Sequence, residues 1–191
     1  MIHPLGSSIR YPRRMAVLRR DVARNRDRIL AAAAALRAAG EPLQLNAVAR
    51  RAEVGVGTVY RHFASPEALA EGLVEHRFGE LAESARAVAE GHPADEALRR
   101  FLGEALRVYA GDPDFAAASV VGAPVRAETE AARAELMDAV RLLVDAAASR
   151  LEPGLTAADL LVLLCGLAHS VRLRPDRAAA YRDALLDGVL R

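Results

Sequence analysis

The stretch GVGTVYRHF, from Gly55 to Phe63, gathers contact chemistry into nine residues. Val59 and Phe63 are the only two positions in it that a helix would bury. Val56, Gly57, Thr58, Tyr60, Arg61 and His62 are left free to face outward. Arg61 can pair with the edge of a guanine, and the methyl groups of Val56 and Thr58 can meet a thymine methyl. Tyr60 and His62 suit phosphate oxygens, which fix register without reading sequence. Gly57 has no side chain and lets a backbone approach closely. Arg50 and Arg51, just upstream, are candidates either for phosphate contact or for a solvated face.

Such a helix needs others to hold it. The spacing predicts a first helix over RDVARNRDRILAAAAALRAAG, with Val22, Ile29, Ala33 and Leu36 on one face and Gly40 as its stop. A second helix fits LNAVARRAEV, burying Val48, Ala49 and Ala52, with Val54 turned inward after it. Gly55 opens the third. Gln44, Gly55 and Ser65 stand at helix starts, and only Ser65 is a strong cap. A short helix joined to another by a turn of three to four residues is a helix-turn-helix, whose second helix enters the major groove. SPEAL, from Ser65, then opens a long helix with a serine cap, a proline and a glutamate.

Charge follows the same division. The net charge of the 191 residues is +1. Residues 1–65 carry twelve arginines against Asp21, Asp27, Glu41 and Glu53, a net +8, and the remainder carries −7. A basic first third suits a polyanion. All 26 basic residues are arginine.

The motif LNAVARRAEVGVGTVYRHFASPEAL resembles the DNA-binding segment of the TetR (tetracycline-repressor) family of bacterial transcription regulators. The likeness is specific over about residues 19–75 and architectural beyond. It implies that Thr58, Tyr60 and His62 contact the DNA backbone and that Val56, Gly57 and Arg61 lie at or near the bases. Three positions depart from the family pattern. Glu53 stands where the turn commonly has glycine, Gly55 where a serine or threonine often caps the recognition helix, and Pro66 where a lysine often reaches a phosphate. Weaker phosphate anchoring is expected, offset by Arg50, Arg51 or the N-terminal arm. RLEPGLTAADLLVLLCGLAHSVR also resembles one actinobacterial type of C-terminal domain in this family.

The rest of the chain reads as helix, broken at EGHPAD, GDPD, VGAP, LEPGL and RLRPD. The segments are roughly 66–90, 94–110, 113–120, 125–151, 156–172 and 176–190. The expected fold is all-α, of about nine helices. A disordered arm at 1–18 precedes a helix-turn-helix domain at 19–65 and a ligand-binding and dimerisation domain at 66–191. Met15 is an alternative start. One reading head recognises few base pairs, so a homodimer on double-stranded operator DNA is expected. TAADLLVLLCGLAHSV, apolar almost all round, and DRAAAYRDALLDGVL, with Ala179, Leu185, Leu186 and Val189, are the expected dimer helices. The resemblance implies that they pair as a four-helix bundle.

The middle helices are expected to enclose a pocket for a small-molecule effector, and pockets are mostly apolar with a few placed polar groups. Candidate liners are Phe78, Phe101, Tyr109, Phe115 and Met137, with Cys165 and His169 as polar members. Cys165 and His169 stand at i, i+4, but two ligands are too few for a metal site. Leucine neighbours favour an inert buried thiol at Cys165, with a redox sensor as the alternative. No cofactor or metal is expected.

The leading reading is a repressor released from its operator by effector. A DNA-binding dimer without an effector, architectural or partner-controlled, is the alternative. An all-α enzyme finds no support in a triad, phosphate loop or HExxH motif. A single cysteine points to a reducing cytoplasm. The start lacks the apolar stretch of a signal peptide, and no apolar run reaches membrane-spanning length.

Overall fold

The computed structural model describes residues 12–120 and 122–190. Among the described residues there are nine α-helices and no strand. They are α1 (Pro12–Ala38), α2 (Leu45–Ala52), α3 (Val56–His62), α4 (Pro66–Gly91), α5 (Ala94–Gly111), α6 (Pro113–Val120), α7 (Ala127–Ala146), α8 (Ala157–Leu173) and α9 (Ala178–Val189). No helix among them is long and apolar enough to cross a membrane. The chain divides into two compact units, one running to Leu69 and the other starting at Ala70.

The first unit is built on a small aliphatic core. Ile29, Ala33 and Leu36 of α1 are buried, as are Leu45, Val48, Ala49 and Ala52 of α2, with Val59 and Phe63 from the α3 segment. α1 ends where glycine allows it. Gly40 has φ 73°, and the Glu41 and Gly40 amides donate to the carbonyls of Leu36 and Arg37, each at 2.9 Å. That pattern closes a helix with a left-handed residue.

Two details of α1 differ from expectation. The helix begins at Pro12, so the part of the expected arm from Pro12 to Leu18 is helical. Proline suits a first helical turn, and the residues after it are good helix formers. Residues 1–11 of that arm lie outside the described residues. Val22 is not on the buried face but 54% exposed. None of Arg20–Arg28 is buried, and Ile29 is the first buried residue after them.

In the second unit, α5 packs against α6, α7, α8 and α9, most extensively against α8. Leu98, Phe101, Leu102, Ala105 and Tyr109 of α5 join Phe78 and Leu81 of α4, Leu136, Val140 and Leu143 of α7, and Leu160 and Leu164 of α8 in one core. α6 starts on Asp112, whose carboxylate accepts the Phe115 amide at 3.0 Å. α8 starts on a reciprocal cap between Thr156 and Asp159. This hydrogen bonding holds the Asp159 carboxyl below its usual range.

Most helix boundaries fall within a residue or two of those expected. The segment expected at 125–151 stops at Ala146 and continues as turns, because Leu151 is drawn into an isolated antiparallel bridge with Leu190. The Glu152 amide donates to the Val189 carbonyl there at 2.9 Å.

Candidate nucleic-acid interface

The turn between α2 and α3 is three residues long, Glu53 to Gly55, and it aims everything that follows. α2 closes when the Val54 amide donates to Ala49 and the Glu53 amide to Arg50, at 3.1 and 3.2 Å. That closure puts Glu53 at φ 52°, ψ 44°. It is the one non-glycine residue with positive φ among the described residues. Glycine would adopt this conformation without steric cost. The Arg28 guanidinium donates to the Glu53 carbonyl at 3.1 Å and lies 3.6 Å from its carboxylate. Gly55 then has φ −63°, ψ 140° and leads into α3 with no side-chain cap.

α3 buries Val59 completely, and Phe63 just beyond it is 1% exposed. Val56 is 42% and Tyr60 52% exposed, large values for apolar and aromatic side chains. Gly57 and Arg61 are exposed, and Thr58 and His62 are half-buried. A Cβ built on Gly57 would meet nothing within 4 Å, so its lack of a side chain serves no internal packing. Arg61 folds back on its own helix, its Nε donating to the Gly57 carbonyl at 3.1 Å. The His62 ring lies 6.3 Å from that of Phe63. Arg50 and Arg51, on the last turn of α2, are both exposed.

Sequence reasoning placed the start of α2 at Leu45 but missed the hollow beside it. A hollow of about 340 Å³ opens beside Tyr60, edged by Gln44, Asn46 and Ser65. Gln44 makes no cap to α2, so its amide is available. The signal was its weakness as a capping residue, which was read only as a poor cap. Ser65, by contrast, accepts the Ala68 amide at 3.2 Å. The Ser65 hydroxyl also holds the Glu67 carboxyl below its usual range.

Of the residues expected around an effector, all but His169 lie in or against one core. Phe78, Tyr109 and Phe115 come together, with ring centroids of Phe78 and Tyr109 at 4.7 and 4.9 Å from that of Phe115. Cys165 borders them, its thiol directed at the Ala116 carbonyl at 3.5 Å. Burial pushes that thiol up to about 11. Phe101 is buried and Met137 half-buried in the same core. His169 is exposed on α8 and lies outside it. Among the described residues no three His, Cys, Asp or Glu side chains gather as metal ligands.

Two buried hydroxyls of the second unit are left unsatisfied. Tyr109 Oη and Thr129 Oγ1 are buried and make no hydrogen bond among the described residues. Burial raises the Tyr109 phenol well above its usual value. The Ser119 hydroxyl, which donates to the Phe115 carbonyl at 2.8 Å, lies close enough to the Tyr109 phenol to offset part of that rise. Arg133, one turn after Thr129 on α7, donates to the Ser119 and Gly122 carbonyls at 3.2 and 3.0 Å.

Comparison with known proteins places this arrangement. Residues 29–73 match the family model for bacterial regulatory proteins of the tetR family. No curated protein sequence matches. A TetR transcriptional regulator from Streptomyces coelicolor is similar at 31% identity and TM-score 0.52, over 86% of this chain and 98% of its own. A TetR transcription regulatory protein from Mycobacterium vanbaalenii is similar at 30% identity and TM-score 0.53, over 91% and 99%. The regulator FadR from Bacillus subtilis, solved with stearoyl-CoA, shares the fold at 17% identity and TM-score 0.56, over 84% and 97%. An all-α chain with its helix-turn-helix in the first unit, matched over nearly the full length of two such regulators, belongs to the TetR family of bacterial transcriptional regulators.

Proposed function

We propose that the protein is a homodimeric repressor that binds operator DNA through α3 and is released by a small-molecule effector held in its second unit. The observation that carries this reading is the split of α3. Val59 and Phe63 serve the core, while Val56, Gly57, Tyr60 and Arg61 serve no internal contact surface. Arg61 would pair with a guanine, and Val56 and Gly57 would lie against base edges. Thr58, Tyr60 and His62 would hold phosphates, with Arg50, Arg51 and the hollow at Gln44 on the flanks. Residues 19–65 form the reading head, and residues 66–191 bind effector and dimerise.

Three features support the regulatory half. The unsatisfied hydroxyls of Tyr109 and Thr129 are groups that a ligand could complete. The Bacillus subtilis relative carries stearoyl-CoA, so this fold can house an organic ligand. α4 also carries a clamp: the Glu71 carboxylate accepts the amides of Val125 and Arg126 at 2.8 and 3.1 Å. The Arg126 guanidinium lies 3.3 Å from Glu75. A change around Thr129 would therefore reach α4 through the start of α7. Such coupling is typically worth about 1–3 kcal/mol and is reciprocal.

Dimerisation falls to α8 and α9. Val162, Leu163 and Leu173 on α8 are 60%, 43% and 67% exposed. On α9, Leu186 and Val189 belong to the core of their own unit. The surface left for a partner is therefore the exposed row of Ala180, Ala184 and Gly188. A two-fold dimer would set the reading heads about 34–36 Å apart, one turn of duplex.

The test is binding to DNA from just upstream of the gene, across a salt series, with wild type and a Tyr60→Phe/Arg61→Ala double variant. Selective, salt-sensitive binding that the variant loses supports the head. Equal, unselective binding by both overturns it. A head separation and operator affinity unchanged by every compound screened would overturn effector control.

A further inference from the structure

A cavity of about 720 Å³ lies between α5 and α9. That is within the range of small-ligand pockets. Its floor is aliphatic, with Leu106, Val171 and Leu186, and no aromatic side chain lines it. Four arginines edge it, and three of them are already neutralised. Arg100 lies 2.6 Å from Glu96, Arg182 lies 2.8 Å from Asp183, and Arg99 lies 3.7 Å from Asp187.

The fourth, Arg107, has no carboxylate or hydrogen-bond partner among the described residues. Its neighbour on the same helix face, Glu104, accepts the Ser84 hydroxyl at 2.5 Å instead. One guanidinium is thus left uncompensated over an aliphatic wall. An independent feature keeps the space open. Gly103 sits in the middle of α5 on the cavity lining, where glycine weakens a helix. No close contact requires it, because the nearest atom to a Cβ built there is Arg182 Cδ at 3.8 Å. The missing side chain leaves the centre of the groove empty.

We propose that the groove between α5 and α9 binds an aliphatic monocarboxylate, its carboxylate paired with Arg107 and its chain lying over Gly103 on the Leu106, Val171 and Leu186 floor. A single planar guanidinium matches a single carboxylate in bidentate geometry. The aliphatic lining selects a flexible chain over a ring. The groove is lined by none of Phe78, Tyr109, Phe115 or Thr129, although Leu106 and Leu186 of its floor also belong to the core that holds Tyr109.

The experiment is isothermal titration of the full chain with octanoate, octanamide and octylamine, alongside thermal melts. Octanoate should bind saturably, and the amide and amine should not. Arg107→Gln should weaken octanoate by at least about tenfold, and Glu104→Gln should strengthen it. Gly103→Leu should raise the melting temperature without ligand and abolish octanoate binding. Tyr109→Phe should leave octanoate binding unchanged, which separates this groove from the core site. Equal binding of octanoate and octanamide would overturn the proposal. So would unaltered octanoate binding in Arg107→Gln and Gly103→Leu, or no saturable binding at millimolar concentration.

Discussion

Arg28 reaches from α1 to Glu53, the one left-handed non-glycine among the described residues, donating at 3.1 Å to its carbonyl. The strain of the α2–α3 turn and its tether therefore lie at one residue. Glu53→Gly should relieve a left-handed cost of about 1–2 kcal/mol while adding about 0.4–1 kcal/mol of unfolded-state freedom. The exposed Arg28–Glu53 ion pair is worth little. Net stability should hold or rise slightly in urea melts, and DNA affinity should increase with the loss of a negative charge. Glu53→Val, branched at Cβ, should lose stability. A Glu53→Gly variant clearly less stable than wild type would show that the turn is not strained.

Tyr60 and Arg61 neighbour each other on α3 but should fail differently. Tyr60→Phe removes a phosphate partner and should weaken all DNA sequences alike. Arg61→Ala should relax discrimination at one base position by about 1–3 kcal/mol. Competition assays with single-base operator variants distinguish them, and identical profiles would contradict the assigned roles.

Tyr109→Phe deletes a buried hydroxyl that makes no hydrogen bond among the described residues. Removing an unsatisfied polar atom costs nothing in lost hydrogen bonding. The melting temperature of the ligand-free protein should stay level or rise, while effector binding weakens. A marked drop in ligand-free stability would mean that the hydroxyl is satisfied in solution.

Burial sets an alkaline limit through Cys165. The thiol holds its proton to about 11 in the native chain, against 9.0 for the reference thiol. Between those values the native state binds more protons than the unfolded state, so stability falls as pH rises from about 9 to about 11. Cys165→Ala should flatten that part of the profile. Iodoacetamide should label wild type slowly at neutral pH and quickly once unfolded, and rapid native labelling would place the thiol in solvent.

Leu173 on α8 is 67% exposed and Val162 60%. Leu173→Glu or Val162→Glu should leave the monomer folded, because neither serves its core, and should shift the protein to monomer in light scattering. Operator affinity should fall with it. A dimer that survives both changes would place the interface elsewhere.

Much of this was legible in the sequence because it depended on local rules. Gly40, Ser65 and the apolar spacing of α2 and α3 each declare a boundary or a face within a few residues. Val22 misled because periodicity states which face a residue lies on, not whether anything covers that face. Leu186 and Val189 show the same limit, since an apolar helix end can serve its own core or a partner. The Leu151–Leu190 bridge joins residues with no local relationship, and no window on the chain contains both. The groove at Arg107 escaped for a similar reason. Its character depends on which of the surrounding arginines already hold a carboxylate, and only coordinates reveal that.

The bond from Arg61 to the Gly57 carbonyl has a kinetic meaning. In free protein the guanidinium proposed to read bases is stowed against its own helix. On that reading, a head held only by phosphates would slide with this side chain folded away and make no commitment to sequence. At a matching guanine the guanidinium would exchange one acceptor for two, so recognition would be a swing of one side chain rather than a rearrangement of the backbone. Search and readout would then be divided between two rotamers of a single residue.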